Sequence, residues 1–108
     1  MKRIAKLVRD KVPDLIRKQG VMPTVRKLEG DEFKEALLKK LIEESEDLYS
    51  AFKKHNLDFD EQLADVLEVI DAIVQEWNMD KKELEKIKKV KAELRGKYQK
   101  KIFLENVI

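Results

Sequence analysis

Glu43, Glu44, Glu46 and Asp47 fall within five consecutive positions of a 108-residue chain, in the stretch LIEESEDL (41–48). Carboxylates at this density gather a hard cation, or they orient and deprotonate a water. On a helix, Glu44 and Asp47 are three apart and share a face. A second group follows in EQLADVLE (61–68), where Asp65 and Glu68 have the same spacing. Four ionised carboxylates converging between helices destabilise a fold unless positive charge sits among them. A bound Mg²⁺, or Mn²⁺ in its place, supplies that charge. Mg²⁺ prefers oxygen ligands, keeps waters and substrate phosphates in its shell, and can polarise a phosphoryl group. Solvation or lysine pairing also accounts for the acids, because Lys40 stands four before Glu44 and Lys39 four before Glu43. Lysine first is the weaker orientation for such a helix pair. Residue pattern alone leaves both readings open.

The acids need elements to hold them. RDKVPDLIRKQ (9–19) predicts a short first helix, with Asp10 as N-cap, Pro13 in the first turn and Gly20 as the stop. VMPTVRKL (21–28) reads as extended chain. Asp31 then predicts the cap of a long helix over 32–55. At roughly 100° per residue, Phe33, Leu37, Leu41, Leu48, Ala51 and Phe52 share one arc. Glu44 lies inside that arc, Asp47 at its edge and Glu43 just beyond. HNLDFD (55–60) is the expected loop, with Asp58 or Asp60 capping a third helix over 61–77. That helix has a wide apolar face, from Leu63 through Ile70 to Trp77, and the short loop predicts antiparallel pairing of the two long helices. In MDKKEL (79–84), Asp80 and Glu83 form a capping box, and Met79 with Leu84 a hydrophobic staple. The fourth helix should run to Arg95 and end at Gly96, with a narrow stripe of Leu84, Ile87 and Leu94. The apolar tail should dock on the body or on a partner chain. The reading is one helical domain over 1–108. Trp77 reads as core or interface, and His55 as a surface loop residue.

Composition narrows the chemistry. Hydrophobic and charged residues each make up 43% of the chain, which fits a globular protein. With no cysteine there is no disulfide or thiolate zinc site, and one histidine leaves no multi-histidine metal site. There is no glycine-rich phosphate loop. No secretory leader is expected in MKRIAKLVRDK, and no apolar run approaches the ~20 residues of a membrane span, so a cytoplasmic protein without a membrane partner is expected. The net charge of +2 hides a pattern: +6 over residues 1–30, −10 over 31–80 and +6 over 81–108. Charge balance between packed helices explains it, as does a cation site flanked by anion-binding groups.

KLVRDKVPDLI (6–16), KKLIEESEDL (39–48), EQLADVLEVIDAI (61–73) and LRGKYQKKIFLENV (94–107) together resemble the MazG-like, all-α nucleoside triphosphate pyrophosphohydrolases, a group that includes phosphoribosyl-ATP pyrophosphohydrolase. The family motif is E-E-x-x-E followed by E-x-x-D on the next helix. Glu43 and Glu44 match its first two acids and Asp65 its last. Asp47 stands where the family has Glu, and Gln62 where the second motif begins with Glu. The resemblance implies an all-α, four-helix-bundle-like protomer completed by oligomerisation, as a homodimer or homotetramer. It implies Glu44, Asp47 and Asp65 as metal ligands, with Gln62 and Glu68 as further candidates, and Glu43 as a ligand or water-orienting base. It implies Mg²⁺-dependent cleavage between the α and β phosphates of a nucleotide. Lys6, Arg9, Lys11, Lys40 and Arg95 are then candidates to hold the leaving pyrophosphate. Two other functions compete: a scaffold that kept the fold and lost the activity, which Gln62 favours, and a nucleic-acid-binding module using the basic ends. The acidic centre speaks against the latter, because it would repel phosphate.

Overall fold

The computed structural model describes residues 5–55 and 57–108; residues 1–4 of the expected leader-free N-terminus and Asn56 of the expected loop lie outside them. The fold is all-α, with four helices and no strand among the described residues. Two compact units divide the chain, Met1–Trp77 and Asn78–Ile108.

In the first unit, α1 (Val12–Lys18) begins later than expected, and Lys11 rather than Asp10 occupies the N-cap position, without a side-chain bond to the backbone. Pro13 lies in the first turn, as expected, where its missing N–H costs no helix hydrogen bond. Gly20 follows the helix in a left-handed conformation (φ 81°).

Helix α2 (Gly30–Lys53) starts two residues earlier than an Asp31 cap would dictate, and ends two residues short of the expected 55. Extended Glu29 takes the N-cap position, and Gly30 turns the chain with φ 59°, a conformation glycine adopts without side-chain strain. Asp31 therefore sits inside the first turn. There its charge complements the helix dipole but does not cap. The Arg26 guanidinium donates to both carboxylate oxygens of Glu32 (3.0 and 2.9 Å), fastening the preceding extended segment to this turn. These hydrogen bonds, and then the charge attraction, push the Arg26 pKa up and the Glu32 pKa down.

Helix α3 (Phe59–Glu76) starts two residues before the expected 61. It packs antiparallel on α2 across a short connection. Lys34, early in α2, pairs with Glu76 at the far end of α3 (3.4 Å) and stands 5.5 Å above the Trp77 ring. Trp77 is half-buried, as a core or interface position should be, and His55 is exposed. Leu37 and Ala51 of α2 and Val69 of α3 are buried, and Phe33, Leu41, Leu48, Val66 and Ile73 are half-buried. Phe52 was expected on the packing face but is 61% exposed. One partner helix covers a stripe narrower than the apolar arc, so residues at the rim stay in solvent.

In the second unit, Asp80 caps α4 (Lys81–Arg95) as expected, accepting from the Lys82 backbone N–H at 2.8 Å. Gly96 ends the helix with φ 79°, and its N–H donates to the Ala92 carbonyl. Of the expected stripe, Leu84 is half-buried, while Ile87 and Leu94 are exposed. Residues 97–108 form no helix or strand, and Phe103 and Leu104 are exposed. No helix among the described residues is long and apolar enough to cross a membrane.

Candidate metal centre

Helix α2 turns its acids toward one another. Glu43, Glu44 and Asp47 each offer a carboxylate oxygen, and these oxygens all lie within 4.8 Å of one another. The spacing explains it: positions 43 and 47 are four apart and 44 and 47 three apart, so the side chains rise from adjacent places on one surface. Oxygens bound to one Mg²⁺ at about 2.1 Å sit up to about 4.2 Å apart, so the group is within a side-chain adjustment of a Mg²⁺ shell. Exposed Asp47 has the freedom to make that adjustment. The donor set is all oxygen and all anionic, which fits a hard cation.

Positive charge is already present. The Lys40 ammonium lies 3.3 Å from Glu43 and 3.4 Å from Glu44, serving two carboxylates at once. Its side chain is only 15% exposed and that of Glu44 13%, which agrees with the helix projection that put Glu44 on the packing face. Lys39, expected as the partner of Glu43, instead pairs one turn back with Glu35 at 3.5 Å. Its side chain is far out in solvent. From the segment before α1, Lys6 reaches Glu43 at 3.5 Å.

The acids of α3 are arranged differently. Asp65 accepts from the Arg9 guanidinium at 2.8 Å and falls outside the three-carboxylate group of α2. Glu68 is exposed, also lies outside that group, and makes no ion pair among the described residues. The Gln62 amide donates to Asp58 Oδ2 at 3.4 Å, a contact one turn back along α3. Asp58 stands at the expected N-cap position, but its side chain bonds to no backbone N–H there, and its Oδ1 is buried without a partner among the described residues. The i, i+4 spacing of Asp58 and Gln62 was the signal for this contact, which reading by family motif alone passes over. Among the expected phosphate-holding residues, Lys6, Arg9 and Lys40 gather at the acids. Lys11 is at the start of α1 with no ion pair among the described residues, and Arg95 is the last residue of α4 in the second unit.

Comparison with known proteins adds little at family level. No protein-family model matches the chain, and no solved structure matches it. An uncharacterized protein of Mycolicibacterium smegmatis is 48% identical over 48 residues, which cover 44% of this chain and 49% of that protein. The chain thus spans about half the length of that relative.

Proposed function

We propose that the chain is a Mg²⁺-dependent nucleotide pyrophosphohydrolase, with Mn²⁺ as an alternative ion, acting on a nucleoside triphosphate or phosphoribosyl-ATP. The observation that supports this reading most is the convergence of Glu43, Glu44 and Asp47, with Lys6, Arg9 and Lys40 drawn to the acids of the two helices. Glu44 and Asp47 would hold the ion, with Asp65 completing the site from α3 and with Glu68 and Gln62 as the outermost donors. The ion would neutralise phosphate charge and make the phosphoryl group a better electrophile. Glu43 orients a water and takes its proton as the water oxygen bonds to the α-phosphorus. The bond from that phosphorus to the bridging oxygen breaks, and pyrophosphate leaves with the electron pair. Lys6, Arg9, Lys11 and Lys40 neutralise the leaving group.

The protomer is of the four-helix-bundle-like pyrophosphohydrolase type and works as a homodimer or homotetramer. Exposed Leu38, Ile42 and Phe52 on α2 and Leu63, Leu67 and Ile70 on α3 give a second subunit apolar surface to cover. A nucleotide substrate and a cysteine-free chain fit a cytoplasmic location. A second reading, a scaffold of the same fold without the activity, is favoured by the engagement of Gln62 with Asp58 and of Lys40 with two of the acids.

Pyrophosphate release from a nucleotide panel separates the two. The enzyme reading expects Mg²⁺-dependent release from at least one nucleotide, reduced about 100-fold or more in Asp65→Asn, since even groups that merely support a ligand are worth 10–100-fold. No release from any nucleotide, or full activity in Asp65→Asn, contradicts it.

A further inference from the structure

Helices α3 and α4 each leave one apolar stripe uncovered, and their charges are opposite. On α3, Leu63, Leu67 and Ile70 are 40–55% exposed and stand at steps of four and three. On α4, Ile87, Val90 and Leu94 are 52–79% exposed and stand at steps of three and four. Helix α3 contains six acids and no lysine or arginine. Helix α4 contains seven lysines and arginines against three glutamates. Resting on the reading of the chain as a homo-oligomer, we propose that α4 of one copy docks antiparallel on α3 of a second copy.

Apolar side chains four and three apart form the kind of seam by which helices pair. Read backwards, the α4 stripe has the order of steps that α3 has read forwards. An antiparallel pairing therefore brings Leu94, Val90 and Ile87 level with Leu63, Leu67 and Ile70. Charge then chooses the partner. Lys86 and Lys91 line a groove together with Ile87 and Val90. Asp60 and Asp71 border the α3 stripe, three before Leu63 and four after Leu67. A second α3 laid on the α3 stripe would set these acids against their own copies, and a second α4 on the α4 stripe would set lysine against lysine. Like charges across an interface suppress association, whereas α3 against α4 places opposite signs at the rim. Lys86 is paired with Glu83 (3.1 Å) in solvent, a contact that exchanges at little cost. Two-fold symmetry returns α4 of the second copy to α3 of the first, which closes the pair as a dimer.

The absence of cysteine lets single thiols report the contact in the full chain. Leu67→Cys and Val90→Cys, one of them tagged, are unfolded together, refolded and treated with a short bis-maleimide. The main product should be a dimer of one tagged and one untagged chain, with little from either variant alone. Lys89→Cys in place of Val90→Cys, on the far side of α4, should give none. Lys86→Glu combined with Lys91→Glu should raise the dissociation constant of the dimer about tenfold. Equal linking by Leu67→Cys alone overturns the docking, as does a link confined to one chain when that chain carries both thiols. A dissociation constant indifferent to the two lysines also overturns it. Light scattering separates this from the reading it rests on. A monomer at every concentration ends the homo-oligomer itself, whereas an oligomer without the link between positions 67 and 90 ends only the contact of α3 with α4.

Discussion

Helices α2 and α4 contain the same ingredients, lysines and glutamates three and four apart, and use them in opposite ways. On α4, Glu83 pairs with Lys86 at 3.1 Å and Glu85 with Lys88 at 3.3 Å. The glutamate comes first in each, the orientation a helix favours, and all four side chains are 61–74% exposed. On α2, Lys40 precedes both of its partners, the less favourable order, and Lys40 and Glu44 are mostly withdrawn from water. Solvated pairs such as those of α4 adjust helix stability slightly and can be lost without consequence. The α2 pair is held in place by packing against the local preference of its own helix, and neither partner can lose the other cheaply. Burial, not residue type or spacing, separates a charged surface from a candidate site.

Removing a charge from each helix tests this contrast. Lys40→Met leaves Glu43 and Glu44 without their shared cation and should cost about 2 kcal/mol in urea unfolding, below the cost for a fully buried pair because some solvent remains. Adding Glu44→Leu should restore at least half of the loss. Lys86→Met on α4 should change stability by less than about 0.5 kcal/mol. Equal effects on the two helices would end the comparison.

The next effect in size concerns how the helices begin. Asp80→Ala should cost α4 about 1 kcal/mol, read as lost helicity in α4 by NMR, because the Asp80 side chain accepts from the Lys82 N–H. Asp31→Ala should cost α2 only a few tenths, because Asp31 acts through its charge alone.

The smallest effect is a titration. Arg26 holds the Glu32 carboxyl below its ordinary pKa, mainly by hydrogen bonding. A depressed carboxylate contributes stability that is present above its unfolded pKa and lost as pH falls through the lowered folded value. The clamp should therefore be intact at neutral pH and open only in acid. The NMR titration midpoint of Glu32 should rise in Arg26→Gln.

What the sequence revealed follows from the range of each interaction. The Asp80 cap and the Gly96 stop were legible because their determinants lie within four residues. The place of Glu44 on the packing face was legible from helix periodicity, and its low exposure agrees. The starts of α1 and α2 were misread: Lys11 rather than Asp10 precedes α1, and the good cap residue at Asp31 was outweighed by the turn at Gly30. The Arg9–Asp65 contact joins residues 56 apart and depends on how the segment before α1 meets α3, which no local pattern encodes. The acids of α2 could be assembled from their spacing alone, whereas the share of α3 in the site depends on packing between elements.

Calorimetric titration with Mg²⁺ of the wild type, Asp47→Asn and Glu83→Gln tests the central claim most directly. The account predicts binding by the wild type, weakened at least about tenfold in Asp47→Asn and unchanged in Glu83→Gln, since Asp47 converges with Glu43 and Glu44 whereas Glu83 belongs to no such group among the described residues. Equal binding by all three proteins, or none by the wild type, would contradict it.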